Sequence, residues 1–162
     1  MLGIPCFVAS ADDINRLQSA IESNPSTVLE ASVEAGVEDA VATVRAVAGC
    51  PSTRIVLIGS SQGAAVMHRA ADELDEGSGA HGGMPLGAVL LGDPLRRREE
   101  TGVEFDDLDG VAVHDGFLAA SVPQIDPGTV WAGHVLEVCS SADTVCSAET
   151  PGWDALVVSA AH

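Results

Sequence analysis

The apolar positions of the chain fall into two kinds of pattern, continuous runs and runs spaced three or four residues apart. The spaced runs predict helices, a short one over 12–23 and another over 62–74. A valine repeat predicts a longer helix that stops at Gly49. Its members are Val33, Val37, Val41, Val44 and Val47.

The continuous runs predict strands apolar on both faces, the pattern of parallel strands covered by helices on each side. They are 54–59 (RIVLIG), 86–91 (LGAVLL), 135–138 and 155–160, with a weaker run over 2–8. The stretch 93–131 has weak periodicity, and its three arginines (96–98) indicate a solvated loop. Strands alternating with helices predict a single α/β domain, 1–162, with a parallel sheet.

Composition and charge narrow the class of function. The chain has 162 residues, of which 24 are acidic and 7 basic, so its formal net charge is −17. This charge repels phosphate, so no nucleic acid partner is expected. No apolar run reaches the ~18 residues of a membrane span, so no integral membrane segment is expected. Residues 1–10 lack the features of a secretory signal.

The sharpest chemical signal is a G-x-S-x-G motif at 59–63 (GSSQG), between a predicted strand and a predicted helix. A sharp turn there strains the backbone and lifts the Ser61 hydroxyl above the sheet edge. We expect both flanking glycines to remove side chains that would collide. The Gln62 amide would face an oxyanion, supported by the helix dipole. The alternative is a Gly/Ser turn without catalytic function.

A serine nucleophile needs a histidine base and an acid that orients it. His68 follows Ser61 by about two helical turns, too far to reach it, and is interpreted as a helix-surface residue. The other histidines lie in two predicted loops, at the start of a strand and after the last apolar run. They are His81, His114, His134 and His162.

Four cysteines permit two disulfides, and their spacing does not favour zinc or thioredoxin-type motifs. They are Cys6, Cys50, Cys139 and Cys146. If Cys139 and Cys146 pair, they close a tight loop at the end of a strand and hold Asp143 near the active edge. The alternative is two free cysteines and a surface aspartate.

Together these motifs resemble the cutinase family of serine esterases. In chain order they are 50–51 (CP), 55–65 (IVLIGSSQGAA), 91–94 (LGDP), 139–146 (CSSADTVC) and 156–162 (LVVSAAH). The resemblance covers about 3–162. It implies a three-layer α/β/α hydrolase fold with a mostly parallel central sheet, and secretion as for the family.

The resemblance also implies the site. Ser61 would be the nucleophile, Asp143 the triad acid and His162 the base, with the Gln62 amide in the oxyanion hole. The implied activity is hydrolysis of aliphatic, lipid or polyester carboxylic esters through an acyl-enzyme. It requires no metal and no cofactor, and its partner is the ester substrate.

Some parts of the family pattern differ here. The family's first strand, which carries the second oxyanion donor, and its last helix have no counterpart within 1–162, so a domain truncated at both ends is expected. Ser60 stands where the family has Tyr. In the family, the cysteine corresponding to Cys50 pairs with one before the missing strand. Either Cys6 replaces that partner, or Cys50 stays unpaired.

Two rival hypotheses remain at this point. One is another serine hydrolase with the same elbow, such as a cell-wall lipid esterase, a lipase or a thioesterase. The other is a catalytically impaired remnant that kept the scaffold. The sequence does not decide the oligomeric state.

Overall fold

The computed structural model describes residues 25–48, 50, 54–76, 86–98, 103–107, 114–119 and 133–149. The predicted elements at 2–8, 12–23 and 155–160 lie outside these residues. The chain divides into two compact units, Met1–Ser32 and Val33–His162.

Four parallel strands form the sheet of the described part of the chain, which confirms the α/β prediction. They are β1 (Ile55–Ser60), β2 (Leu86–Leu91), β3 (Val103–Asp107) and β4 (Val135–Cys139). Their order across the sheet is β1-β2-β4-β3. The sequence predicted β2 at its observed bounds and β1 and β4 within one residue. It missed β3, which lies in the stretch predicted as a loop.

Two helices are described, α1 (Pro25–Val47) and α2 (Gln62–Glu76). Pro25 opens α1, where its fixed φ and missing N–H suit the first turn. Four members of the valine repeat are buried, as the periodicity predicts: Val33, Val37, Val41 and Val44. Neither helix has the combination of length and apolar composition that a bilayer crossing requires.

Helix α1 lies against α2 at Gly36, where a Cβ would come within 2.8 Å of Val66 Cγ2. Two exposed ion pairs also join the helices. Arg69 Nη2 lies 2.6 Å from Glu34 Oε2, and a second pair, Arg45 with Glu73, is 3.4 Å long. Exposed pairs of this kind contribute at most about 1 kcal/mol each.

The strand register aligns side chains in rows across the sheet. Gly59 pairs with Leu90, and Leu90 pairs with Glu137. All three are buried, and the row belongs to the face that α2 covers, since Gly59 directly adjoins the first turn of α2. A glutamate therefore lies in the buried layer of a parallel sheet, where it needs partners.

The opposite face of β1 differs from the prediction. Val56 and Ile58 are 56% and 63% exposed. Among the described strands, β1 pairs with β2 alone, so it is the edge of this sheet rather than a central strand covered on both faces. The apolar run of β1 correctly indicates two apolar faces. It carries no information about which element, if any, covers each face.

The two glycines of the G-x-S-x-G motif differ in what they do. A Cβ at Gly59 would collide with the Gly63 carbonyl and lie 2.7 Å from Ala64 Cα. A Cβ at Gly63 would meet nothing within 4 Å. The expectation of a collision is therefore confirmed for Gly59 and wrong for Gly63. The close approach of strand and helix depends on the first glycine only.

We expect Gly59→Ala to lower the free energy of unfolding by about 3 kcal/mol, because backbone atoms must shift to admit a methyl group. Gly63→Ala is the matched control. It should leave stability unchanged or raise it by up to about 1 kcal/mol, since alanine favours a helix over glycine. Urea unfolding followed by circular dichroism measures both. Equal losses for the two variants would contradict this assignment.

Candidate active site

Ser61 lies at the sharp turn between β1 and α2. Its φ is 53°, in the left-handed region, which costs an L-residue about 1–2 kcal/mol. Its N–H donates to Leu91 O at 2.8 Å, while its carbonyl accepts from Ala64 N at 2.9 Å and Ala65 N at 3.2 Å. These bonds hold the strained turn, and Ser61 is exposed. Strain held in this way at an exposed hydroxyl is typical of functional sites.

Gln62 is the first residue of α2, so its amide lies at the helix N-terminus, directly after Ser61. Backbone N–H groups and the positive end of the helix dipole meet here. This end of α2 is therefore suited to stabilise negative charge that develops beside Ser61.

The end of β2 connects this turn to the next strand. Gly92 donates its N–H to Val138 O at 2.8 Å and has a φ of +61°, which glycine adopts without strain. A Cβ on Gly92 would lie 3.1 Å from Asp143 Oδ2. Ser61 therefore contacts Leu91, and Asp143 lies against the next residue. Both residues border one turn at the carboxyl edge of the sheet.

The loop after β4 holds Asp143 in place. A disulfide joins Cys139 and Cys146, with Cα atoms 6.0 Å apart, which confirms this predicted pairing. Asp143 Oδ1 accepts the Val145 N–H at 2.8 Å, and its carbonyl accepts the Ser147 N–H at 2.9 Å. One carboxylate oxygen is thus fixed by the loop, while the other faces Gly92.

The remaining predicted residues are placed as follows. His162, His81 and Cys6 lie outside the described residues. Cys50 is an exposed free thiol. It is therefore not paired with Cys6, the pairing left open by the sequence. The structure thus brings Ser61, Gln62 and Asp143 to one edge, and the catalytic roles of these residues and of His162 stay predictions.

His68 is not the helix-surface residue that the sequence indicated. It is 1% exposed, and its Nδ1 lies 2.6 Å from Asp93 Oδ2 and 3.9 Å from Glu137 Oε1. The reason is its position on the same helical stripe as Ala64 and Ala71, which are both buried. Alanines are weak indicators of a buried face, so the stripe did not stand out.

Arg96 also contradicts the prediction of a solvated arginine run, since it is 1% exposed. Its Nε lies 3.6 Å from Glu137 Oε2, and its Nη1 donates to His114 O at 3.2 Å. Arg97 is partly buried, and only Arg98 of the three is exposed. Three arginines that are adjacent in sequence therefore differ in their burial.

The buried quartet, defined as His68, Asp93, Arg96 and Glu137, was missed in the sequence. Two signals could have found it. Glu137 interrupts the apolar strand VLEVC, and Asp93 lies two residues after the end of β2 in LGDP. Charged side chains in or beside buried strands need partners, which tertiary structure supplies from distant positions.

The parallel sheet, the strained serine between β1 and α2, and the aspartate after a later strand together define an α/β-hydrolase fold. The cutinase family model matches residues 10–157. The chain therefore belongs to the cutinase family, as the sequence motifs predicted.

Two curated relatives show how much of the family protein is present. Cutinase 4 of Emericella nidulans is 42% identical over 55 residues, covering 34% of this chain and 22% of that protein. Cutinase cut1 of Trichoderma harzianum is 35% identical over 88 residues, covering 54% and 34%. The matches thus span about a third or less of these relatives.

Solved structures support the fold. A cutinase-like protein from Cryptococcus sp. aligns with a TM-score of 0.57 and 24% identity, covering 71% of this chain and 56% of that one. An acetylxylan esterase aligns with a TM-score of 0.51 and 24% identity, covering 79% and 62%.

We expect the double variant Cys139→Ser/Cys146→Ser to lose about 2–3 kcal/mol of unfolding free energy, because a short closed loop restricts the unfolded chain. Urea denaturation under non-reducing conditions measures the loss. Cys50→Ser is the matched control, since Cys50 forms no disulfide. A loss as large in the control would contradict the role of the disulfide.

Proposed function

We propose that this chain is a serine hydrolase of carboxylic esters. Ser61 attacks the ester carbonyl, His162 acts as the base, and Asp143 orients the imidazole. The Gln62 amide donates to the oxyanion. The observation that carries the proposal is the left-handed Ser61 at a strand–helix turn, with the Asp143 carboxylate against the neighbouring Gly92.

The reaction proceeds in two halves. As Ser61 Oγ bonds to the carbonyl carbon, its proton passes to His162, and Asp143 stabilises the imidazolium. The tetrahedral oxyanion collapses, the C–O bond to the alcohol breaks, and His162 protonates the leaving alcohol. Water then attacks the acyl-enzyme, gives its proton to His162, and releases the acid as Ser61 recovers its proton.

The substrate class follows from the family. Both curated relatives are named cutinases, and a structural neighbour is an acetylxylan esterase. We infer an aliphatic carboxylic ester, in small, lipid or polyester form. The Cys139–Cys146 disulfide fits an oxidising compartment, which supports secretion.

The direct test is Ser61→Ala. We expect wild type to hydrolyse p-nitrophenyl acyl esters and to be labelled by a fluorophosphonate, because an activated hydroxyl attacks both. The variant should lose labelling and about 10⁴-fold or more of kcat. Ser60→Ala is the matched control. It is an exposed neighbour that should keep both activities.

The outcomes separate the alternatives. Equal labelling of wild type and Ser61→Ala would overturn the proposed nucleophile. A folded wild type without labelling would support the impaired remnant instead. If esters are hydrolysed, a series of acyl lengths distinguishes a short-chain esterase from a lipase, and acyl thioesters test the thioesterase alternative.

A further inference from the structure

We infer that the buried quartet is a positioning network for the proposed triad acid. It connects helix α2, the turn after β2 and strand β4 to the segment that holds the Asp143 loop. The inference rests on the proposed function for its catalytic consequence. Its structural consequence, faster exchange of the amides that bond to Asp143, is testable without esterase activity.

The quartet joins three elements that are distant in sequence. His68 belongs to α2, Glu137 to β4, and Asp93 and Arg96 to the turn after β2. Asp93 Oδ2 pairs with His68, and its Oδ1 accepts the Leu95 N–H at 2.9 Å. All four side chains are at most 2% exposed. Water therefore screens these contacts little, so their electrostatic attraction is stronger than that of exposed ion pairs.

The same atoms could be read as a cation site, because ligand atoms of His68, Asp93 and Glu137 lie within 4.8 Å of one another. Two contacts favour an ion network instead. The Arg96 guanidinium already places a positive charge beside Glu137 Oε2. His68 Nδ1 is within hydrogen-bond distance of Asp93. Each buried carboxylate thus has a partner inside the protein, Asp93 with His68 and Glu137 with Arg96.

The first step of the coupling runs from the turn 93–98 to the segment 114–119. Arg96 contributes at both its ends, since Nη1 donates to His114 O and its carbonyl accepts the Gly116 N–H at 2.8 Å. Leu118 N also donates to Pro94 O at 2.8 Å. A side chain fixed in the quartet thus fixes the start of the 114–119 segment.

The second step runs from 114–119 to the Asp143 loop. Phe117 N donates to Val145 O at 3.1 Å, and Ala148 N donates to Asp115 O at 2.9 Å. Val145 is also the residue whose N–H binds Asp143 Oδ1. The N–H of Val145 is therefore held by the Asp143 carboxylate. Its carbonyl is held by the 114–119 segment, which Arg96 also contacts.

Asp143 thus has two supports, the disulfide and this hydrogen-bonded path. The disulfide closes the loop on itself but does not orient it toward 114–119. The path from the quartet supplies that orientation. Loosening it should move the carboxylate without opening the loop.

The test combines a quartet variant with a variant of the acid. Arg96→Met/Glu137→Leu removes a buried pair together, so no uncompensated charge remains. We expect kcat for p-nitrophenyl butyrate to fall about 10–100-fold with KM within about twofold, because a small misplacement of a catalytic group lowers the rate. In an Asp143→Asn background the same change should alter Ser61 phosphonylation by less than about twofold.

The double-mutant cycle separates positioning from stability. An equal fall in phosphonylation rate with and without the Asp143 carboxylate would show a general effect on the fold and overturn the inference. Arg96→Lys covers the case in which the double variant does not fold. Lysine keeps a positive charge beside Glu137, but it cannot contact Glu137 and the His114 carbonyl at the same time, as the guanidinium does. We therefore expect an intermediate rate. Wild-type activity in Arg96→Lys would overturn the inference.

Hydrogen exchange gives a readout that does not depend on esterase activity. The Val145 and Ser147 amides, which donate to Asp143, should exchange at least about tenfold faster in the Arg96 variants. The control is Arg45→Gln, which removes an exposed ion pair and should leave both rates unchanged. Unchanged exchange in the Arg96 variants would overturn the positioning role, even if Ser61 proves not to be a nucleophile.

A metal titration closes the remaining alternative. We expect Zn²⁺ to leave the Tm of the wild-type protein unchanged, because Arg96 places a positive charge beside Glu137 and His68 Nδ1 lies within hydrogen-bond distance of Asp93. A rise in Tm that Glu137→Gln abolishes would identify a cation site and overturn the ion-network assignment.

Discussion

The parallel pairing of β1, β2 and β4 brings the ends of three strands to one edge, and hydrogen bonds continue past the strands themselves. Ser61 donates to Leu91, and Gly92 donates to Val138. Beyond this line of bonds, the chain enters helix α2 from β1, the turn 92–98 from β2 and the Asp143 loop from β4. The strained Ser61 and the Asp143 loop are both placed by it, so the geometry of the candidate site depends on the strand register.

The strained residue Ser61 and the hydrogen bonds that hold its backbone lie together at this edge of the sheet. The left-handed Ser61 is destabilising by itself, and it persists because bonds to Leu91, Ala64 and Ala65 determine its backbone. Gly59 allows α2 to begin close to β1, which a side chain at that position would prevent. Precise placement of an exposed hydroxyl thus requires rigid surroundings on the buried side.

The buried quartet extends the same principle to the Asp143 loop. Ion pairs in a protein interior often contribute little net stability, since desolvation offsets their attraction. Such pairs can instead fix the positions of secondary-structure elements relative to one another. Here they join α2, the turn after β2 and β4, and Arg96 extends this connection to the segment that contacts the Asp143 loop.

Local patterns in the sequence determined the strands β1, β2 and β4, the valine face of α1 and the serine elbow, because each depends on residues close together in the chain. The motifs also indicated the family and the Cys139–Cys146 loop. Tertiary structure decided what periodicity does not encode. It buried His68 and Arg96, left Val56 and Ile58 exposed, and paired β3 with β4. Burial and charge pairing depend on which distant residues face each other, and that is fixed only when the sheet assembles.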